Sequence, residues 1–481
     1  MNKIFFSRIV TLSLITCHLT LFSCTGNSPN LSEKKLQALM NDVTLKPAET
    51  PTFTLPDSNY VPQAGVKYSE IRAIDPAAPP IVIDISGNLN NKKVFKLSDF
   101  ASSVTYIRLP PPPDTKFSSI TDIATDDERI FISAREGLFC YSADGTYRYT
   151  MIKNQFDELS NMPVMGSRGQ IDLLNGILVN ILFHLPAGAP GYTTDVKLNF
   201  FDVKELDTQM FVYNPSNELN YFGATPKYQR QLKPEPGHHF LLMNDQSVFH
   251  SGLTLTSIGG DTLCKFTNFD QPAVDRIMQG RGAGSRPGAS IYRINGNVML
   301  SIGLNDTIFR VIPPNRLAPV YIMNWGNYKP NLVEFVTSGA MAGKFILRSW
   351  LETQQFIFIH YTEGNNAPRY LDLGNVKFYY AIYDKTTKTL THHLTSTTPA
   401  IRQRSGTITR TVSVPLLIEN DIDPVGMPFW PQALNHRGEM YMTFSKEQIK
   451  DYINTGRYRN DKLQAIYDSM PDDAICIMIV K

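Results

Sequence analysis

The sequence predicts an all-β protein, a six-bladed β-propeller in which N- and C-terminal strands close one blade, with short helical inserts near both ends. Three observations predict it. From residue 81 onward the chain runs in short bursts of alternating apolar and polar residues, the pattern of strands with one face in a core. Turn residues such as Asp144-Gly145 separate the bursts and signal hairpins. Two turns also nearly duplicate each other, GDTLCKF at 260–266 and NDTIFRV at 305–311, 45 residues apart. Four-stranded units recurring at roughly 40–50 residues are how propeller blades read in a sequence.

Taken in order, the bursts are IVIDI at 81–85 and VTYIRL at 104–109, the second stopped by four prolines at 110–113. Five units come next, between 117 and about 395. The first holds RIFIS, LFCYS and TYRYTM within 128–151, and the second GILVNILFHL and KLNFFDV within 176–213. The third holds HHFLLM, SVFHSGLTL and TLCKF within 238–268, and the fourth SIYRI, VMLSIGL, TIFRV and PVYIMNWG within 290–326. The fifth holds FILRSWLE, QQFIFIHYTE, KFYYAIYD and TLTHHL within 344–394. A sixth is expected to join EMYMTF at 439–444, a helical insert from Lys446 to about Met470 and a terminal strand at 474–480 to the early strands of 81–109. Such a join removes two sheet edges. The rival architecture is a sandwich, which explains the strand density but not the paired turns.

The first residues describe an address rather than a fold. Lys3 and Arg8 precede an apolar run at 9–22 that ends in Leu21-Phe22-Ser23-Cys24. A basic start, a short apolar run and a small residue at the cleavage point mark a secretory signal. The run is shorter than the ~20 residues a membrane span needs. The cleavage point is similar to a bacterial lipobox, which implies removal of 1–23 and lipid on Cys24. Several acyl chains, at ~0.8 kcal/mol per buried CH₂, anchor a protein firmly. Residues 24–80 are expected to be a lipidated tether. LSEKKLQALMND at 31–42 suits a short helix, and Pro47, Pro51, Pro56, Pro62, Pro76, Pro79 and Pro80 forbid continuous secondary structure over the rest of the stretch. The propeller domain is expected over 81–481.

Composition narrows the function. The full chain has 46 basic and 44 acidic side chains, and loss of Lys3 and Arg8 with the signal balances them. With no basic block, a nucleic acid is not the expected partner. The 32 prolines and 30 glycines favour turn-rich β structure. After Cys24 only Cys140, Cys264 and Cys476 remain, all in apolar strand-like stretches; this is no disulfide framework.

With these elements in place, the chain resembles the six-bladed β-propeller lipoproteins abundant in Bacteroides-type bacteria, a group of largely unknown function. The residues that carry the resemblance are IDISGN (83–88), KLSDFASSVTYIRL (96–109), NDTIFRV (305–311), PVYIMNWG (319–326), NDIDPVGMPFWP (420–431) and DDAICIMIVK (472–481). The resemblance implies the fold and an envelope location, and it implies no enzyme. Relatives carry a GRGPGEY run. Its nearest equivalents here are Gly166-Ser167-Arg168-Gly169-Gln170 and Gly280-Arg281-Gly282-Ala283-Gly284, without the acid and aromatic ending.

Two patches are candidate ligand sites. Asn420, Asp421 and Asp423 precede Pro428-Phe429-Trp430-Pro431. Closely spaced loop carboxylates suit a structural Ca²⁺, and a Trp face suits a sugar ring. The alternative is a capped turn with Trp430 buried between blades. Arg281 and Arg286, in the glycine-rich run GRGAGSRPG, suit a carboxylate or phosphate, or else belong to a plain blade-connecting loop. The adjacent pairs His238-His239 and His392-His393 sit in strands, where neighbours point to opposite faces, so neither pair readily chelates one ion. No GxSxG or HExxH motif is present, and the one SxxK match, Ser32-Glu33-Lys34-Lys35, falls in the expected tether and makes no case for catalysis. No cofactor is expected beyond that calcium ion.

The leading expectation is an envelope-anchored monomer whose propeller binds a glycan, a peptide or a partner protein. The alternatives are a polysaccharide hydrolase or lyase using Asp421 or Asp423, and an architectural subunit of an outer-membrane complex. After Cys24 the residues TGNSPN lack the acidic run that relatives often use for surface display, so the expected orientation is an outer-membrane anchor facing the periplasm. Protease shaving of whole cells should therefore leave the body intact; its digestion would place it on the cell surface.

Overall fold

β-Branched and aromatic runs separated by Gly, Asn and Asp turns fold into antiparallel hairpins, because alternating side chains bury one face of each strand or both. The computed structural model describes residues 64–68, 70–71, 79–117, 120–156, 163–174, 176–184, 195–203, 229–235, 239–245, 251–257, 262–266, 290–294, 297–301, 305–312, 315–331, 334, 343–364, 377–394, 400–405, 408–413, 417–454 and 460–481. The chain divides into units Met1–Val43 and Thr44–Lys481; every described residue lies in the second. The expected signal, Cys24 and the helix at 31–42 fall outside the described residues.

Five strands come first: β1 (Ala64–Tyr68), β2 (Glu70–Ile71), β3 (Ile81–Asp84), β4 (Lys92–Lys93) and β5 (Val104–Leu109). The first sheet is then built from β6 (Ile120–Thr125), β7 (Arg129–Ala134), β8 (Gly137–Ser142) and β9 (Tyr147–Lys153). The second holds β10 (Gln155–Phe156), β11 (Pro163–Leu174), β12 (Ile177–His184) and β13 (Asp195–Asp202). The third holds β14 (Gln229–Glu235), β15 (His239–Asp245), β16 (Ser251–Ser257) and β17 (Thr262–Phe266). The fourth is β18 (Ser290–Ile294), β19 (Asn297–Ser301), β20 (Thr307–Ile312) and β21 (Arg316–Asn324). The fifth is β22 (Phe345–Glu352), β23 (Phe356–Glu363), β24 (Lys377–Asp384) and β25 (Thr389–His393). A lone hairpin, β26 (Ala400–Ser405) and β27 (Ile408–Ser413), leads to the closing sheet of β28 (Ala433–Leu434), β29 (Met440–Ser445) and β30 (Ile475–Val480), completed by β5. Between β29 and β30 lie α1 (Lys446–Asn454) and α2 (Asp461–Ser469), where an insert was expected. The Asn460 side chain caps α2 by accepting the Leu463 N–H at 2.8 Å.

The arrangement is all-β and propeller-like, with few helices. Leading strands of successive sheets lie side by side, β6 on β11, β11 on β14 and β14 on β18, which is radial order. The sequence predicts six blades; four are complete meanders of consecutive full strands, namely the first, third, fourth and fifth sheets. The second has only the two-residue β10 beside three long strands, and the closing sheet has the two-residue β28 and borrows β5.

Closure is only half as expected. β30 pairs antiparallel with β5, with Ile477 opposite Ile107 and Val480 opposite Val104. Residues 81–85 do not join it. β3 runs parallel to β21, with Ile83 beside Met323, because Ile83 and Ile85 are fully buried in the core of Tyr321, Met323 and Trp325. The duplicate turns also prove inequivalent. TLCKF forms the fourth strand of its sheet, whereas TIFRV forms the third of its own.

A strap runs along the outer sheet edges. β1 pairs parallel with β17, β2 and β3 with β21, and β4 with β25. A parallel bridge from Lys96 to Glu419 then carries the chain into β5. Ala64–Tyr68 and Glu70–Ile71 therefore pair with the body's sheets, although proline spacing assigns them to the tether. Three sheet edges are covered, which blunts pairing with other chains.

Polar fasteners join neighbouring sheets. The Ile171 N–H donates to Asp122 at 3.1 Å, and Arg129 bridges Asp126 at 2.8 Å and the Val203 carbonyl at 2.6 Å. Asp127 receives His436 and Arg437 from the closing sheet. At the fifth sheet, Lys385 meets Glu352 at 2.6 Å with both side chains buried, and the fourth sheet is tied to this pair through its tyrosines. Glu352 also accepts the hydroxyls of Tyr321 at 2.6 Å and Tyr292 at 3.0 Å. Burial first, and the Glu352 charge second, push both phenols well above their ordinary range, so they remain donors.

Removing one partner of a buried ion pair leaves a charge without compensation. Lys385→Met should cost about 3–5 kcal/mol in urea unfolding. Adding Glu352→Gln, which removes the unpaired charge, keeps an acceptor for one tyrosine and offers an amide N–H to the hydroxyl oxygen of the other, should recover most of it. A double variant as unstable as Lys385→Met would show that the charge pairing contributes nothing.

Candidate functional site

In an antiparallel four-stranded unit, first-to-second and third-to-fourth turns emerge at one end and second-to-third connections at the other. Here the two ends differ. Counted from the leading strand β11 in the second sheet and from the first strand in the others, the short connections 175–176, 295–296, 353–355 and 385–388 link strands at one end. The longer connections 185–194, 364–376 and 446–474 link strands at the opposite end, the long-insert end.

An aromatic group lies at that long-insert end, between the fourth and fifth sheets. The Asn324 side chain accepts the Gly326 N–H at 3.1 Å and donates to Asp84 at 3.0 Å, so IDISGN and PVYIMNWG meet there. Gly326 has φ +54, and a Cβ on it would come within 2.8 Å of the Ser86 hydroxyl, which fixes the single helical turn of residues 326–328. That turn lays Tyr328 flat on Phe345, with ring centres 4.3 Å apart and an angle of 5°. Tyr379 stacks on Tyr361 at 4.9 Å and 2°, and lies 5.3 Å from Phe345. Trp325 packs edge-on against Phe345 and Tyr361 from below. Tyr328 and Tyr379 are half-buried, whereas Trp325, Phe345 and Tyr361 are buried.

Charged groups border these rings. Glu363 accepts the Tyr379 hydroxyl at 2.6 Å and Lys377 at 3.0 Å. Lys344 pairs with Glu334 at 3.4 Å and donates to the Asn327 carbonyl at 3.1 Å. Burial, then the bond to Glu363, push the Tyr379 phenol upward. An aromatic in an alternating strand reads as buried, so nothing in the sequence singles out Tyr379 in β24, and Tyr328 lies in a turn with no motif.

The patch at 420–431 is tied to the body. Asn420 donates to Asp423 at 2.5 Å and to Tyr106 at 3.1 Å, and Tyr106 donates to Asp423 at 3.1 Å. Burial, then Asp423, hold the Tyr106 phenol above its ordinary range. Asp421 instead takes the Ser98 amide at 3.0 Å and hydroxyl at 2.7 Å. Slight burial pushes its carboxyl up, but the Ser98 bonds and Lys96 bring it net below the usual range. The two carboxylates thus serve different partners. Among the described residues no group of three or more His, Cys, Asp or Glu side chains is placed to hold a metal ion.

Trp430 does not offer a face to a sugar. It is 6% exposed, wedged between Phe358 at 5.6 Å and Tyr380 at 4.7 Å. Its indole nitrogen and Nε2 of His360 are buried without hydrogen-bond partners, and His360 stacks on Tyr380 at 4.6 Å. Burial, then Arg348, push His360 down to about 4. His392 bonds Tyr361 and the Asn88 carbonyl, while His393 accepts the Phe95 amide, so this pair does divide its partners. Arg281 and Arg286 fall outside the described residues.

A family model for a domain of unknown function, DUF4933, matches residues 63–455. The structure is similar to that of a candidate exported protein from Bacteroides fragilis, at 13% identity over 84% of this chain and 100% of that one, with a TM-score of 0.53. A protein of unknown function from Bacteroides thetaiotaomicron aligns at 10% identity over 79% of this chain and 76% of its own, TM-score 0.36. A DUF4221 family member from Bacteroides vulgatus aligns at 8% identity over 79% and 99%, TM-score 0.38. The first of these likenesses shows a shared fold alone. No curated protein matches the sequence.

His360 makes stability depend on pH. Above its ordinary value of 6.5 both folded and unfolded states hold it neutral. As pH falls from 6.5 towards about 4, the unfolded chain takes up the proton first and folding weakens. A shift of this size corresponds to about 3 kcal/mol. Urea unfolding of wild type against His360→Gln should show the wild type losing that much more stability across the interval; parallel profiles would remove His360 as the cause.

Proposed function

The chain belongs to the DUF4933 family, and we propose that it is an exported, lipid-anchored propeller that acts as a binding module through its long-insert end. On this reading the second and closing sheets serve as blades beside the four complete ones, giving a ring of six, and Cys24 carries the lipid that fixes the body to the outer membrane. The observation that carries the proposal is the asymmetry of the two ends. Insertions at 185–194, 364–376 and 446–474 belong to one end of sheets whose other end is closed by short turns, and binding residues gather on loops held by a rigid scaffold. The fold alone does not choose a function. The acids named for a hydrolase or lyase, Asp421 and Asp423, are engaged by Ser98, Tyr106 and Asn420, which supports a clamp rather than a reaction centre.

Thermal shift against glycan and peptide libraries tests this. A ligand at 100 times its Kd adds about 2.7 kcal/mol of stability, and hydrogen exchange should then slow at the long-insert end. Protection confined to the short-turn end would overturn the assignment.

A further inference from the structure

We infer that Tyr328, Tyr379, Glu363 and Lys377 form a subsite for a neutral sugar ring. This deepens the reading of the long-insert end as the binding end, and rests on it. Glu363 and Lys377 border the 364–376 insertion directly, since Glu363 ends β23 and Lys377 opens β24 opposite it. Three properties together select the ligand class.

The first is flatness. Tyr328 and Tyr379 are held against Phe345 and Tyr361 in near-parallel stacks, at 5° and 2°, so each ring is fixed before anything arrives. The apolar C–H side of a pyranose matches such a surface, and little conformational freedom remains to be lost on binding. The second is the hydrogen-bonding rim. Glu363 accepts from Tyr379 and Lys377, but a carboxylate offers about four lone-pair sites, so it can also accept from sugar hydroxyls. Lys377, with its side chain 67% exposed, is a donor at the same edge. The third is charge. Lys377 balances Glu363 and Lys344 balances Glu334. An anion or a cation would meet a compensated site, whereas a polyol needs donors and acceptors side by side.

The test is a glycan array and titration calorimetry on the full mature chain in detergent, using neutral oligosaccharides as probes, with Tyr328→Ala, Tyr328→Phe, Tyr379→Phe and Glu363→Gln. Binding by the wild type is expected, with at least a tenfold loss in Glu363→Gln, loss of binding in Tyr328→Ala and retention in Tyr328→Phe. Retention in the phenylalanine variant separates a stacking role from unfolding, and melting curves check each variant. Neutral-sugar binding unchanged in all four variants would overturn the subsite while leaving the long-insert end as the binding end. Binding only of peptides or charged glycans would overturn the sugar assignment, as would no binding at all. A bound ligand protecting only the short-turn end would sink the subsite and the functional reading together.

Discussion

The hydrogen bonds between Val104–Leu109 and Ile475–Val480 set the terms for everything else in this fold. Antiparallel sheets arranged side by side leave two exposed edges unless the first and last are joined, and exposed edges invite pairing with other chains. Because β5 and β30 come from opposite ends of the body, their backbone hydrogen bonds tie its beginning to its end within one sheet. The Asp127 cluster with His436 and Arg437 then fixes the same junction at the short-turn end. Such a pairing is among the longest-range contacts a chain can make, and contacts of that kind are slow to form.

The two ends of the sheets have divided their tasks. The short-turn end contains the buried Glu352–Lys385 pair and its two tyrosines, a network satisfied within the protein. The long-insert end holds half-buried rings, a paired carboxylate and lysines close to the surface. Between the ends, buried side chains from adjacent sheets interdigitate, with Phe358, Tyr380 and Trp430 filling the gap beside the closing sheet. A rigid middle of this kind lets loops vary without moving the strands that hold them.

Much of the architecture is legible in the chain itself. Alternation locates the strands at 129–153, 290–324 and 345–393, and the helical insert falls where Lys446 begins it. What alternation does not reveal is partnership. Ile83 reads as a strand residue, but nothing local says that it will lie beside Met323 rather than Ile477. The strap is hidden for the same reason, since Glu70–Ile71 and Lys92–Lys93 are too short to show a period and acquire strand geometry only from the edges they meet. The site is less legible still. Asp421 and Trp430 stand out as residue types, but their roles are set by Ser98 and Tyr380, far away in sequence. Tyr328 and Tyr379 carry no motif, and only the register of β23 on β24 puts Glu363 beside Lys377.

The strap has a consequence for how the molecule comes into being. Ala64–Tyr68 and Ile81–Asp84 are made early, yet their partners Thr262–Phe266 and Arg316–Asn324 leave the ribosome much later. Vectorial folding, in which each segment settles as it emerges, is therefore closed to the N-terminal part of this body. It must wait as an open chain, exposing Ile81, Ile83 and Ile85 to solvent or to a chaperone, until the sheets that will receive it exist.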